Sequence, residues 1–492
     1  MRVLMLYPEF PDTFWSFKHA LKFVSKKASN PPLGLITVAS ILPLDWEKRL
    51  IDLNVQNLNN KDLEWADYVF ISAMNIQSES VAEIIEWVNN KKPIVAGGPL
   101  FTACYENYPQ IDHFILNEGE ITLPLFLSDV LNRTTKRIYS TTDFADMSKT
   151  PIPSWELIDF RAYDSMAIQF SRGCPFNCDF CNVTALLGHK PRTKTSSQLI
   201  SELDALYQHG WRRNIFIVDD NFIGNKKILK ESLLPALIEW RKGKKGCLFT
   251  TEASINLADD SELLEMMVMA GFRSVFIGIE TPEESSLSLC NKKQNQNRDL
   301  VKSVRTIQTA GIQVLGGFIV GFDTDSPSAF QRQIDFIQKS GIVTAMVGLL
   351  QAPFGTDLYR RMKREGRLSS EMSGDNLDGS TNIIPIMPIQ KLMAGYQHIL
   401  KTIFSPAAFY RRIQTFLEVY EPVYHPVSLS AQEIAAFFKS ILLLGVLGKE
   451  RKYYWQLFFW ALTKKPALFP VAITLSIYGY HFMRVSDKVL NS

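Results

Sequence analysis

Residues 169–181 read QFSRGCPFNCDFC, which sets Cys174, Cys178 and Cys181, three of the chain's six cysteines, within eight positions. The spacing C-x3-C-x2-C, with Pro175 and Asn177 inside it, places three sulfurs on one tight loop. A disulfide would use two thiols and strand the third. Structural zinc usually takes four closed ligands, and no partner pair accompanies these three. An iron–sulfur cluster of the 4Fe–4S type normally takes four thiolates. Three would leave one iron without a protein ligand, and an open metal position is how a site admits a substrate or cofactor. On that reading the missing fourth cysteine is the coordination site. Cys104, Cys247 and Cys290 are scattered, as small buried hydrophobes are.

The cysteines follow the apolar run AIQFS, and that run opens a regular alternation. The runs NIFIVDD, CLFTTEA, SVFIGIE, VLGGFIVGF and TAMVGLL succeed it, with helical patterns filling the gaps. The segment TSSQLISELDALYQHG carries a Thr195-x-x-Gln198 capping box and stops at Gly210. The next helical pattern opens on Asp259-Asp260 and stops at Gly271. Six βα units fit a partial or complete βα barrel over 166–365, whose chemistry sits at the carboxyl ends of its strands. The cysteine loop falls on that face. So do Asp219, Asp220 and Asn221 after the second strand, Glu252 and Ser254 after the third, and Gly278 and Glu280 at the end of the fourth.

Residues 1–140 also alternate strand and helix patterns, with runs such as RVLMLYP, ADYVFISAM and PIVAGGP apolar enough for strands buried on both faces. This predicts an α/β, doubly wound, Rossmann-like domain, which binds ligands at its carboxyl strand ends. Those ends carry Ser72 to Gln77, Gly97-Gly98-Pro99 and Asn117-Glu118-Gly119-Glu120. Residues 141–165, with Pro151 and Pro153 and little periodicity, read as a linker. The rhythm stops near 366, where SGDNLDGSTN reads as a loop, and 366–492 reads as a helical, aromatic-rich region. The formal net charge of +3 over 492 residues is too small to imply nucleic acid as a partner. The N-terminus MRVLMLYPEF is too short an apolar run for a signal peptide, so the expected residence is cytoplasmic, where thiols stay reduced.

The C-x3-C-x2-C triad at the end of a first barrel strand resembles the radical S-adenosylmethionine (SAM) superfamily. The resemblance implies a (β/α)6 partial barrel and a 4Fe–4S cluster on Cys174, Cys178 and Cys181. It implies that the open iron binds the amino and carboxylate groups of SAM, whose reductive cleavage gives a 5′-deoxyadenosyl radical. Phe180, the aromatic before the last cysteine, fits the family. The same resemblance assigns Asp219, Asp220 and Asn221 to the neighbourhood of the SAM ammonium, Glu280 to the ribose side, and GGFIVGF, with Gly321, to the adenine side. Glu252, Ser254 and Gly278 complete the expected SAM set. In LLQAPFGTDLY, Phe354 stands where the family often has the second proline of Pro-x-Pro-Gly-Thr.

A doubly wound domain ahead of such a barrel is similar to the B12-dependent subclass. More closely, SRGCPFNCDFC, VDDNFIGN, FIGIETP and FDTD resemble the bacterial group with a distinctive C-terminal domain that includes hopanoid C-2 methylases. The resemblance implies cobalamin at Ser72, Gln77, Gly97, Gly98, Glu118 and Gly119. None of the seven histidines stands in a D-x-H-x-x-G motif, so a histidine of that kind is not the expected lower cobalt ligand. Cobalamin together with a radical cluster suggests methylation of an unactivated carbon on a small-molecule, lipid-like substrate. An external one-electron donor such as flavodoxin or ferredoxin would feed the cluster. A cobalamin-dependent rearrangement or cyclisation without methyl transfer is the alternative enzyme reading, and a non-catalytic iron–sulfur protein the non-enzyme one. A methylthiotransferase would need a second N-terminal cysteine cluster, and only Cys104 lies there. No side-chain general base stands out. The tail is strongly apolar, with no formal charge between Lys465 and Arg484, and Lys449, Arg451, Lys452, Lys464 and Lys465 flank its aromatics. It reads either as helices packed over the barrel or as a peripheral membrane contact.

Overall fold

A computed structural model describes residues 1–370, 372–375, 377–422 and 430–491. Asn376, in the expected loop, and residues 423–429, in the expected helical tail, lie outside them. Six strands make the first sheet: β1 (Arg2–Tyr7), β2 (Glu47–Asp52), β3 (Tyr68–Ser72), β4 (Ile94–Gly97), β5 (His113–Ile115) and β6 (Ile138–Tyr139). All pair in parallel, in the order β2-β1-β3-β4-β5-β6. Val3 to Leu6 are fully buried, because helices cover both faces of the sheet. The helix Ser78–Val88 buries Val81, Ile84 and Val88, one stripe of its surface. The strand order reverses at β1, and the crevice such a reversal opens lies outside the carboxyl ends of β1 and β3.

The second sheet is built of β7 (Met166–Ile168), β10 (Ile215–Ile217), β11 (Phe249–Glu252), β12 (Phe272–Glu280), β13 (Gln313–Val320) and β14 (Ala345–Leu349). Its order is β14-β13-β12-β11-β10-β7, all parallel, with its first and last strands unpaired to each other. It is an open, partial barrel. Between β7 and β10 the chain makes a short antiparallel ribbon, β8 (Ser171–Arg172) with β9 (Arg192–Thr193), and the cysteine loop hangs from it. The helix Ser196–Gln208 starts on the expected box. Gln198 N donates to Thr195 Oγ1 at 3.2 Å, and Thr195 N donates to Gln198 Oε1 at 2.8 Å.

Beyond the barrel the chain is helical over Ile389–Ile403, Pro406–Val419, Ala431–Ser440, Arg451–Lys464 and Phe469–Asn491. Arg412, wholly buried, fastens this region to the barrel. Its guanidinium donates to Gln338 Oε1 at 2.6 Å, to the Ile403 carbonyl at 2.9 Å and to the Val343 carbonyl at 3.3 Å. The last helix packs inward. Phe482 stacks on Phe14 at 4.2 Å, and Gly479 has no side chain where the Phe409 ring lies. Most of the uncharged stretch before Arg484 is therefore covered by protein, with Pro466, Ala467, Pro470 and Thr474 exposed. Among the described residues no helix is long and apolar enough to cross a membrane. The segment after β1 reaches from this helix to the sheet of the barrel. Trp15 Nε1 donates to Met346 Sδ of β14 at 2.9 Å, and its ring meets Phe276 of β12 edge-on at 5.3 Å.

Candidate active site

The cysteine loop is pinned from behind. Asp219, fully buried after β10, takes the Phe170 N–H at 2.7 Å on one oxygen, and the Ser171 N–H at 2.7 Å and Ser171 hydroxyl at 2.5 Å on the other. The residue expected beside SAM thus has its carboxylate committed to the strand that leads into the cysteines. Gly173, at φ +93°, is required by crowding: a Cβ there would sit 2.9 Å from the Gly188 and Lys190 carbonyls. Asn221 Nδ2 donates to Cys174 Sγ at 3.8 Å, and Gln294 Nε2 to Cys178 Sγ at 3.7 Å. Gln294 Oε1 is buried without a protein partner. Burial raises all three thiols and pushes Cys181 up to about 12. A metal that binds them as thiolates must displace those protons.

The donor set fits a cluster. Repulsion from Cys178 and Cys174 adds to the burial at Cys181, so the three sulfurs act on one another across one loop. A 4Fe–4S cluster takes a thiolate at each of its ligated corners, and three such donors would leave its fourth iron open.

Carboxylates stand beside the loop. Burial first, then repulsion from Asp220 and Asp219, push Glu252 up to about 8. Burial likewise takes Asp220 up to about 6, opposed by Arg172. A bound cation relieves such a pair, and SAM carries a positive charge at its sulfonium. Ser254 N–H and hydroxyl donate to Asn221 Oδ1 at 3.2 and 3.3 Å, which joins the ends of β10 and β11. Glu280 sits at φ +62° where β12 slips register against β13. Backbone strain of this kind persists only where the surroundings enforce it. Its carboxylate meets Lys292 Nζ at 2.6 Å, and a Cβ on Gly278 would collide with that pair. Burial opposes the Lys292 charge, but Glu280, Cys178 and Cys181 outweigh it and the net shift is upward. Lys292 lies 5.9 Å from the Phe180 ring centroid, and Phe180 packs edge-on to Phe322. Gly321, at φ +102°, donates its N–H to Asp325 at 2.8 Å. At the sixth strand end, Thr356 caps the helix Asp357–Arg364, and Leu358 N–H donates to the Asp179 carbonyl at 2.8 Å, so this loop braces the cysteines despite Phe354.

On the first sheet, Ser72 and Gly98 touch at the ends of β3 and β4. Gly98 has φ +94°, and a Cβ there would stand 2.9 Å from the Ala73 carbonyl and 3.0 Å from Ser72 Oγ. Gly97 is hemmed in by the Ile115 carbonyl, and Gly119 opens the helix Gly119–Asn132. Gln77 is fully buried; it accepts from Met74 N–H at 2.9 Å and donates to the Pro8 carbonyl at 2.5 Å, tying the ends of β3 and β1 together. Its amide shapes the crevice from inside. Glu118 is engaged elsewhere. Its carboxylate pairs with Arg192 at 2.7 Å and with Arg172 at 3.4 Å, and takes the Ala145 N–H. Glu120 takes Arg172 at 2.7 Å. The two arginines sit on the ribbon that holds the cysteine loop, so the ends of the first sheet and the barrel site are fastened together.

Arg172, Arg192, Lys292 and Gln294 escaped the sequence reading. Arg172 lies two residues before Cys174 and was within reach of it. Arg192 acts from the second strand of the ribbon, and Lys292 and Gln294 from the segment after the fourth barrel strand, whose approach no local pattern reveals.

Comparison with known proteins completes the picture. The B12 binding domain matches residues 24–127, the radical SAM superfamily 168–337, and a domain of unknown function, DUF4070, 356–492. The hopanoid C-2 methylase of Rhodopseudomonas palustris is 34% identical, over 92% of this chain and 88% of its own. The chain belongs to the B12-binding radical SAM family. An uncharacterized methyltransferase of Synechocystis is 41% identical over 99% of this chain and 92% of its own. Among solved structures, the cobalamin-dependent radical SAM enzyme OxsB superposes with a TM-score of 0.63 at 15% identity, covering all of this chain and 80% of that one. The radical SAM methyltransferase TsrM of Kitasatospora setae gives 0.60 at 13%, covering 93% and 98%. At those identities the likeness is one of fold. Family membership sets the cofactors, a 4Fe–4S cluster, SAM and cobalamin, and the class, cobalamin-dependent radical SAM methyltransferase acting on a small molecule.

Proposed function

We propose that this enzyme methylates an unactivated carbon of a lipid-like substrate at the inner face of the membrane, fed by an external one-electron donor of the flavodoxin or ferredoxin kind. The observation that carries the lipid reading is an exposed apolar face on the C-terminal helices. Phe438, Leu442 and Val446 recur at four-residue intervals and are exposed, as are Leu447 and, on the next helix, Phe459 and Leu462. Lys449, Arg451, Lys452 and Lys464 are exposed on the same segment. Exposed apolar side chains clustered on a helix mark interaction sites, and an apolar face accompanied by lysine and arginine suits anionic lipid. The apolar stretch closer to the end of the chain, Phe469–Arg484, packs on Phe14 and Phe409 instead, which moves the membrane reading onto residues 434–464.

When bound, the cluster and SAM supply hydrogen abstraction, and cobalamin supplies the methyl group. The residues do the placing. Cys174, Cys178 and Cys181 would hold the cluster. Glu252 and Asp220 would face the cationic part of SAM, with Glu280, Gly278 and Gly321 along the same strand ends and Phe180 and Lys292 flanking. Ser72, Gly97, Gly98 and Gly119 would line the corrin, on a crevice shaped by Gln77. Glu118 and Glu120, through Arg172 and Arg192, keep the two strand-end faces in register.

The test is anaerobic incubation of the reconstituted enzyme with methyl-labelled SAM and a total bacterial lipid extract. Label entering a lipid at carbon supports the reading. SAM consumed with no label transferred to any lipid refutes it. Flotation with anionic vesicles tests the membrane part separately. The triple variant Phe438→Ser, Leu442→Ser, Phe459→Ser should lose vesicle binding with its iron content intact, and unchanged flotation refutes that contact.

A further inference from the structure

Far along the chain from the cysteines, three ligand-bearing side chains meet. Asp12 lies in the segment after β1, His19 in the short helix Lys18–Leu21, and His481 in the last helix, Phe469–Asn491. Each presents one oxygen or nitrogen, and the three atoms lie within 4.8 Å of one another. We propose that Asp12, His19 and His481 bind a divalent transition-metal ion of the zinc class, which ties the segment bearing Trp15 to the last helix.

The chemistry of each group supports a metal over a plain ion pair. His481 is wholly buried, and one ring nitrogen, Nε2, lies 3.0 Å from the Phe14 carbonyl. A carbonyl only accepts, so that nitrogen carries the hydrogen and Nδ1 carries a lone pair. Nδ1 is buried and has no hydrogen-bond partner. Burying an acceptor without a donor is costly, and such groups in folded proteins call for an explanation. An imidazole that donates its other N–H to a backbone carbonyl is the usual arrangement of a histidine metal ligand. The carboxylate faces the second ring. Asp12 Oδ2 lies 2.9 Å from His19 Nε2, while the Ser16 hydroxyl, 3.3 Å from Oδ1, is nearer the Thr13 carbonyl at 2.7 Å and leaves Oδ1 free to bind. Two imidazoles and one carboxylate suit zinc and its first-row neighbours and disfavour calcium and magnesium, which take oxygen. The side chains of Asp12 and His19 keep 24% and 19% of their exposure. An ion therefore has a way in, and water has a way to its open position.

The placement gives the ion a role. Residues 12–19 include Trp15, whose ring meets Phe276 and Met346 of the barrel sheet. Phe14 and Phe17 in the same segment pack on Phe482 and His481. An ion here would lock that segment to the C-terminal region, independently of the cofactors.

The experiment uses full-length protein with its cluster reconstituted, exposed anaerobically to Zn²⁺ and then desalted, with zinc and iron measured together. One zinc per chain is expected beside the cluster iron. Asp12→Asn and His19→Gln, both at partly exposed positions, should lose the zinc and keep the iron. With Co²⁺ in place of Zn²⁺, the protein should show ligand-field bands without added thiolate charge transfer, and the bands should vanish in His19→Gln. Wild-type protein that retains no zinc overturns the proposal. So does zinc retained equally by both variants, or cobalt that reports thiolate ligation, which would place the ion on the cysteines.

Discussion

Asp219→Asn separates two roles for a residue at the centre of the site. As a SAM contact, Asp219 would govern cofactor affinity; as placed here, it holds the strand before the cysteines. The carboxylate receives two backbone N–H groups at 2.7 Å and one hydroxyl at 2.5 Å, with no exposure to water. Burial pushes it up to about 7 against the pull of those donors, so the comparison belongs at pH 8, where it is ionised. The amide keeps one acceptor for one N–H. Its NH2 faces the second N–H, donor against donor, while the Ser171 hydroxyl can turn to accept. The loss is one hydrogen bond to a charged group plus a stranded buried donor, roughly 2–4 kcal/mol locally. That is about a 30- to 1,000-fold rise in opening of the 170–171 segment. Hydrogen exchange at Phe170 and Ser171, and the rate at which a chelator strips iron, read it directly. Exchange and iron loss should both accelerate in the variant. Unchanged exchange and iron retention, with SAM affinity alone reduced, would overturn the bracing role and return Asp219 to the ligand.

Two further outcomes follow from the geometry. Glu252, held up to about 8 in the free protein, must lose its proton to meet a cation, so SAM affinity should rise with pH up to about 8 and binding should release a proton; calorimetry in buffers of different ionisation enthalpy checks this, Glu252→Gln should flatten it, and a flat wild-type profile would count against the pairing. Gly98→Ala forces a side chain into a left-handed conformation 2.9 Å from the Ala73 carbonyl, a local cost of about 1–3 kcal/mol, and should lower cobalamin stoichiometry while iron content stays constant; equal cobalamin in both proteins would remove Gly98 from the crevice.

The architecture was legible because its signals are local. Strand runs, the Thr195 box and the glycine stops at Gly210 and Gly271 act within a few residues of themselves, and C-x3-C-x2-C is a spacing. What was not legible depends on contacts across the fold. Asp219 and Glu252 look alike as strand-end carboxylates; only the structure shows one consumed by Phe170 and Ser171 and the other left facing a carboxylate. Glu118 reads as part of a ligand loop and turns out to be shared with two arginines from the next domain. The tail shows the same limit. Hydropathy marks Phe438 and Phe482 equally, but packing buries one and exposes the other.

The ion cluster between the domains bears on how such enzymes can be recombined. Glu118 and Glu120 come from one domain, Arg172 and Arg192 from the next, and all four side chains are at most 17% exposed. Each of these ion pairs runs across the boundary. A chimera that exchanges the first domain alone would leave two shielded arginines facing whatever the new domain brings, and an uncompensated charge of that kind costs several kcal/mol. The two arginines also flank the cysteine loop, so the penalty would fall on the cluster site of the recipient, and not on the grafted half. A working exchange in this chain therefore keeps Glu118, Glu120, Arg172 and Arg192 matched as a set, with the incoming domain supplying carboxylates at the two glutamate positions.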